Sequence, residues 1–175
     1  VWLQNDGKGK FLEKPIHPLF IYSTYEVNAA DFDNDGNTEI LFASNPTFWF
    51  QNNGNGVFTS KTLDSFHDRL GVRSSHIADL NGDGYKDIVI GLSSSANTDI
   101  PSQKREPTLR WYKNNGNGEF SNGLNISTQT DESVSIKTAD LDGDKDLDII
   151  VTHGFYWEDL HHRIVWYEND GMGNF

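Results

Sequence analysis

The chain has 175 residues and a mass of 19.8 kDa, enough for one domain with a buried core and too little for two large ones. Fourteen Lys and Arg against 26 Asp and Glu give a net charge of -12 and a pI near 4.7, which speaks against nucleic acid or an anionic membrane surface as partner. The absence of cysteine removes disulfides, thiolate zinc sites and thiol nucleophiles, while the 13% of aromatic residues sets the chain apart from disordered sequences.

Val1 opens no basic-then-apolar leader, and no apolar run approaches the roughly 20 residues of a membrane helix, so no membrane insertion is expected. The first predicted element is a hairpin, WLQNDGKGKF from Trp2. It returns as WFQNNGNGVF from Trp49, WYKNNGNGEF from Trp111 and WYENDGMGNF from Trp166. Each copy places a Phe nine positions after the Trp, with Asn-Asp-Gly or Asn-Asn-Gly and a second glycine between. Asn and Gly tolerate positive φ, so the chain reverses there between two aromatic-bearing strands, and the aromatics are expected to form core.

Between the hairpins runs a second phrase: NAADFDNDGNTEILFAS, then HIADLNGDGYKDIVIGL, then KTADLDGDKDLDIIVTH. Its acidic loops begin at Asp31, Asp79 and Asp140, at 29, 30 and 29 residues after the preceding Trp, so the two phrases make one unit. The units repeat at 47, 62 and 55 residues, the range of four-stranded propeller blades, with the variation confined to residues 92–108 and 153–163. Each unit reads as a short strand ending in Ala-Asp, the acidic loop, an apolar strand, a connection, the Trp strand, the Gly turn and the Phe strand. EILFAS, DIVIGL and DIIVTH are near-continuous apolar runs that suit a sheet covered on both faces. No segment has a capped 3.6-residue apolar period. The expectation is an all-β single unit over 1–175, built of antiparallel four-stranded β-propeller blades. It counts the outer half of one blade, two full blades and a third lacking most of its last strand, to be completed by further blades or by a second copy.

In each acidic loop oxygen donors stand at positions 1, 3, 5 and 9: Asp31, Asp33, Asp35 and Glu39; Asp79, Asn81, Asp83 and Asp87; Asp140, Asp142, Asp144 and Asp148. Hard oxygens without His or Cys select Ca²⁺ or, less readily, Mg²⁺ or Mn²⁺; a flexible six-to-eight-fold shell favours Ca²⁺, and three such loops predict three calcium sites. Position 7, occupied by Asn37, Tyr85 and Asp146, adds a backbone carbonyl. Gly36 and Gly84 supply the sharp turn at position 6, where the third loop has Lys145 with Gly143 two residues earlier, a departure that leaves the affinity of that site open. An EF-hand is excluded because its Glu at position 12 is replaced by Phe42, Ile90 and Val151, all within apolar strands.

The A-D-[FL]-[DN]-x-D-x-x-x-[DE]-I loops and W-[LFY]-x-N-[ND]-G-x-G-x-F hairpins resemble FG-GAP/VCBS-type repeats, the calcium-loop blades of integrin α-subunit propellers and of many secreted bacterial and fungal proteins, lectins among them. The resemblance covers essentially the whole chain. It implies a β-propeller with calcium held between the first and second strands of each blade by the residues above, including the carbonyls of residues 37, 85 and 146. It also implies an extracellular setting, secreted or at the cell surface.

Function beyond calcium is expected where the copies differ. The insertion HGFYWEDLHHR brings Tyr156, Trp157, Glu158 and His161 together, a composition suited either to packing within the loop or to stacking on a sugar ring with polar groups for its hydroxyls. No nucleophile motif is present, and the paired carboxylates are committed to the loops, so no catalytic residue is assigned. The resulting expectation is a non-catalytic, calcium-stabilised binding or adhesion module for carbohydrate or an extracellular protein. Two alternatives stay open: the propeller part of a carbohydrate-active lyase or dehydratase whose catalytic residues lie elsewhere, and a structural repeat of an extracellular filament or adhesin.

Overall fold

The computed structural model describes residues 1–16, 26–66, 70–94, 108–127, 132–154 and 163–175. Every regular element among them is a strand, and the strands form four separate antiparallel sheets. The first is a hairpin of β1 (Trp2–Asn5) and β2 (Phe11–Lys14). The first full blade is β3 (Glu26–Ala30), β4 (Glu39–Ala43), β5 (Thr47–Asn52) and β6 (Phe58–Asp64), paired in chain order. The second is β7 (Leu70–Ala78), β8 (Asp87–Ser94), β9 (Leu109–Tyr112) and β10 (Leu124–Asn125). A third blade contributes β11 (Glu132–Ala139), β12 (Asp148–Gly154) and β13 (Arg163–Tyr167). Sheets of two, four, four and three strands are the half blade, two full blades and incomplete third blade that the repeat phase predicts. Among the described residues no sheet closes on itself, and the sheets are propeller blades.

The core lies between blades, which explains the apolar second strands. Along β8, Ile88, Ile90 and Leu92 face the first blade, where they join Phe32, Leu41 and Trp49 in a cluster that also takes in Val72 of β7. Val89 turns the other way, into a cluster with Trp111, Ile136, Ile149 and Val151. A strand alternates its faces, and here both faces are covered, so both sets are apolar.

One element departs from the repeat. Phe58 opens a seven-residue fourth strand, whereas its counterpart Phe120 makes only an isolated bridge to Asn114, and β10 has two residues. The ring of Tyr112 explains the break: it lies 2.8 Å from where a Cβ on Gly123 would stand, so the chain steps around it before pairing resumes at Leu124.

Candidate functional site

The three acidic loops join the first and second strands of their blades, and all repeat one hydrogen-bond scheme. The position 1 carboxylate accepts the amide of position 6: Asp31 from Gly36 at 3.0 Å, Asp79 from Gly84 at 2.8 Å, Asp140 from Lys145 at 3.1 Å. The position 5 carboxylate accepts the amide of position 7, with Asp35, Asp83 and Asp144 at 2.7, 3.0 and 2.9 Å from Asn37, Tyr85 and Asp146. These short-range bonds curl each loop so that its side-chain oxygens converge.

Convergence is measurable. Carboxylate oxygens of Asp31, Asp33 and Glu39 lie within 4.8 Å of one another, as do those of Asp140, Asp142 and Asp144. Bonds of about 2.3–2.6 Å to a central calcium place ligand oxygens at up to about twice that separation, so both groups have the right span. In the first loop Oδ1 of Asp31 and Oδ1 of Asp33 are buried with no hydrogen-bond partner, while their second oxygens accept from Gly36 and from Gln51 Nε2. A buried carboxylate oxygen left without a donor is costly, and a cation at the loop centre removes that cost. In the third loop Asp146 is pushed above the ordinary carboxylate range, first by partial desolvation and then by the charges of Asp144, Asp140, Asp170 and Asp142. That crowding also calls for a positive charge.

Position 7 side chains are already engaged: Asn37, Tyr85 and Asp146 lie over Gly54, Gly116 and Gly171 of their own hairpins. The position 7 carbonyl stays on the loop backbone as a further oxygen donor. Position 9 has a second task that sequence reasoning missed. Glu39, Asp87 and Asp148 open the second strands and are fully buried. One oxygen of each accepts the amide of position 2, from Phe32 at 2.7 Å, Leu80 at 3.2 Å and Leu141 at 3.0 Å. The other accepts the amide of the Asn three places after the repeat Trp, from Asn52 at 3.4 Å, Asn114 at 2.8 Å and Asn169 at 3.0 Å. Burial raises the carboxyls of Glu39 and Asp87, and these amide donors oppose the shift. Position 9 thus staples the acidic loop to the Trp hairpin and keeps further lone pairs for an ion.

That Asn carries the link to the neighbouring blade. Asn114 Nδ2 donates to the Lys86 carbonyl of its own loop at 3.0 Å and to the Phe32 carbonyl of the preceding blade's loop at 2.8 Å. Asn169 does the same with Leu147 at 3.0 Å and Leu80 at 2.6 Å. Beside it the aromatics interlock: Phe120 stands edge-on to Trp49 and Phe32 of the preceding blade, and Phe175 to Trp111. Gly118 and Gly173 admit the two indoles, since a Cβ at either position would fall 2.8 and 2.1 Å from the Trp ring. The repeat aromatics Trp49 and Trp111 are therefore inter-blade core, as expected. The missed signal was the Asn itself, present in all four hairpins as Asn5, Asn52, Asn114 and Asn169.

Lys145 occupies its loop with φ 84°, where Gly36 and Gly84 have 87° and 88°. An L-residue is strained there. Lys145→Gly is therefore expected to stabilise the chain by about 1 kcal/mol, raising the melting temperature by about 2–4 °C for a chain of this size. Calorimetry on the two proteins checks this, and an unchanged or lower transition would show that the lysine is held without strain. Of the sugar-binding candidates, Tyr156, Trp157, Glu158 and His161 all lie outside the described residues.

The repeat model described as FG-GAP-like matches the chain over residues 31–90 and 96–151, more than half of its length. No curated protein matches it. Among solved structures, an Agrocybe aegerita lectin described as specifically recognising non-reducing terminal N-acetylglucosamine superimposes with a TM-score of 0.63 at 22% identity. The match covers 98% of this chain and 43% of that one, so the chain spans less than half of the lectin's length, and the likeness is one of fold.

Proposed function

Because the chain belongs to the FG-GAP-like repeat family, we propose that it is a non-catalytic, calcium-stabilised module of an extracellular protein that binds carbohydrate through its blade loops. The observation that carries the calcium reading is the pair of buried, partnerless oxygens on Asp31 and Asp33 within a converging all-oxygen donor set. Calcium, when bound, supplies positive charge and an oxygen-hungry coordination shell. The side chains at positions 1, 3, 5 and 9 and the carbonyl at position 7 hold it, and the position 1, 5 and 9 hydrogen bonds keep the loop in shape. Calcium sites of extracellular modules fill at millimolar ion, and the family resemblance to secreted and cell-surface propellers supports that setting here.

The carbohydrate reading is supported by a lectin that shares the fold across nearly the whole chain. It is supported also by the aromatic and polar composition of Tyr156, Trp157, Glu158 and His161 in a segment that varies between repeats. Further blades, of the same chain or of a second copy, are the other partner. Trp166 is 46% exposed and Phe11 59% exposed, while Trp49 and Trp111 are buried, so each end shows one half of the inter-blade lock.

A glycan array that includes N-acetylglucosamine-terminated glycans, probed in about 2 mM calcium and in EDTA, tests the reading at the ion level of extracellular sites. Selective binding that disappears in EDTA is expected, with Trp157→Ala about tenfold weaker from the lost stacking. Silence in both arms with folded protein rejects carbohydrate as the ligand.

A further inference from the structure

The three loops share donor positions but differ in what stands beside them. In the β4–β5, β8–β9 and β12–β13 ladders, Ile40 pairs with Phe50, Ile88 with Tyr112 and Ile149 with Tyr167. The next residue in each case, two places after the repeat Trp, is Gln51, Lys113 and Glu168, three residues at one register position with charges of zero, plus one and minus one.

In the first two blades this residue reaches the acidic loop. Gln51 Nε2 donates to Asp33 Oδ2 at 2.5 Å. Lys113 places its ammonium 3.3 Å from Asp83 Oδ2, the position 5 carboxylate, which also accepts from Asn81 Nδ2 at 2.9 Å. The middle loop therefore carries a cation of its own on a would-be ligand. It also has one carboxylate fewer than the others, because Asn81 stands at position 3. The third loop shows the opposite balance: carboxylate oxygens of Asp140, Asp142 and Asp144 converge within 4.8 Å of one another, and the register position adds the carboxylate Glu168.

We propose that the residue two places after each repeat Trp grades the calcium affinity of the adjoining loop, with Lys113 making the middle loop the weakest site and Glu168 making the third the tightest. The proposal rests on the calcium reading above and reverses the order expected from position 6 alone. Gly84 gives the middle loop an unstrained turn, but a resident ammonium repels a divalent ion at contact range. Lys145 strains the third loop's backbone, yet it forms no ion pair with that loop's carboxylates among the described residues.

The test is calorimetric titration of the metal-free chain with calcium, with sites assigned by Asp79→Ala and Asp140→Ala, which remove a ligand from the middle and third loops. The wild type is expected to show one site clearly weaker than the others and lost in Asp79→Ala. Lys113→Glu is expected to tighten that site on the order of tenfold, and Glu168→Lys to weaken the third by a similar factor. Lys113→Gln, which copies the first blade, should fall between wild type and Lys113→Glu. Lys113 is half exposed and Glu168 exposed, so the circular dichroism of these variants should match the wild type. Three sites indifferent to the exchanges overturn the grading and leave calcium binding standing. A wild-type chain that takes up no calcium overturns both.

Discussion

Asn114→Leu is expected to destabilise the chain by about 2–5 kcal/mol, because it strips partners from one buried and two part-buried backbone groups at once, and an unsatisfied buried group costs about 1–3 kcal/mol. The Phe32 and Lys86 carbonyls lose their donor, and the Gly116 amide loses the Asn114 Oδ1 that it meets at 3.0 Å. Asn114 is fully buried, so water cannot replace the amide without opening the interface between blades. Asn169→Leu should cost a comparable amount, since Asn169 bridges Leu147 and Leu80 in the same way. Asn52 provides the internal control: its Nδ2 meets only the Thr38 carbonyl, at 3.1 Å, and the residue is half-buried, so Asn52→Leu should cost about 1 kcal/mol or less. Urea unfolding of the three variants reads the contrast. Equal losses at all three positions would show that the Asn serves its own hairpin and not the joint between blades.

The blade architecture was legible because the repeat fixes it several times over. Each Trp-to-Phe hairpin, each Ala-Asp step and each apolar second strand marks the same strand boundaries, and the structure starts the second strands at Glu39, Asp87 and Asp148. The acidic loops between first and second strands were legible for the same reason, as alternating oxygens in three copies. What stayed hidden was how one blade grips the next. Asn114 reaches the carbonyl of Phe32, 82 residues away, and such a contact leaves no local pattern. Position 9 was misleading in a different way: a carboxylate in an acidic loop reads as a ligand, and only its burial and two amide donors reveal the staple. The backbone at position 4 was readable in principle, since Asn34, Gly82 and Gly143 are the residue types that accept the positive φ of 58°, 67° and 88° found there.

Calcium at about 2 mM is expected to raise the melting temperature over that in EDTA by on the order of 10 °C, the effect of three sites each contributing about 1–2 kcal/mol at weak, extracellular-type affinity. The pH dependence supplies a second, sharper readout because its sign reverses with the ion. Without calcium the carboxyls of Glu39, Asp87 and Asp146 stand above their ordinary values, so between those raised values and pH 4 the folded chain binds more protons than the unfolded one. Stability from these groups is fully present below their unfolded pKa and is lost as pH rises through the folded values. Lowering the pH through these raised carboxyl values in EDTA should therefore raise the melting temperature. Asp83 and Asp170 are held low and act only below this window. For Asp83 burial works upward, and the Tyr85 amide, Asn81 and Lys113 outweigh it, whereas the bonds from Asn174 and Met172 lower Asp170. With calcium the same change in pH should lower the melting temperature, because the ion binds only deprotonated ligands and protons compete with it. Parallel pH profiles in calcium and in EDTA, with superimposed melts, would show that the acidic loops hold their shape without a cation.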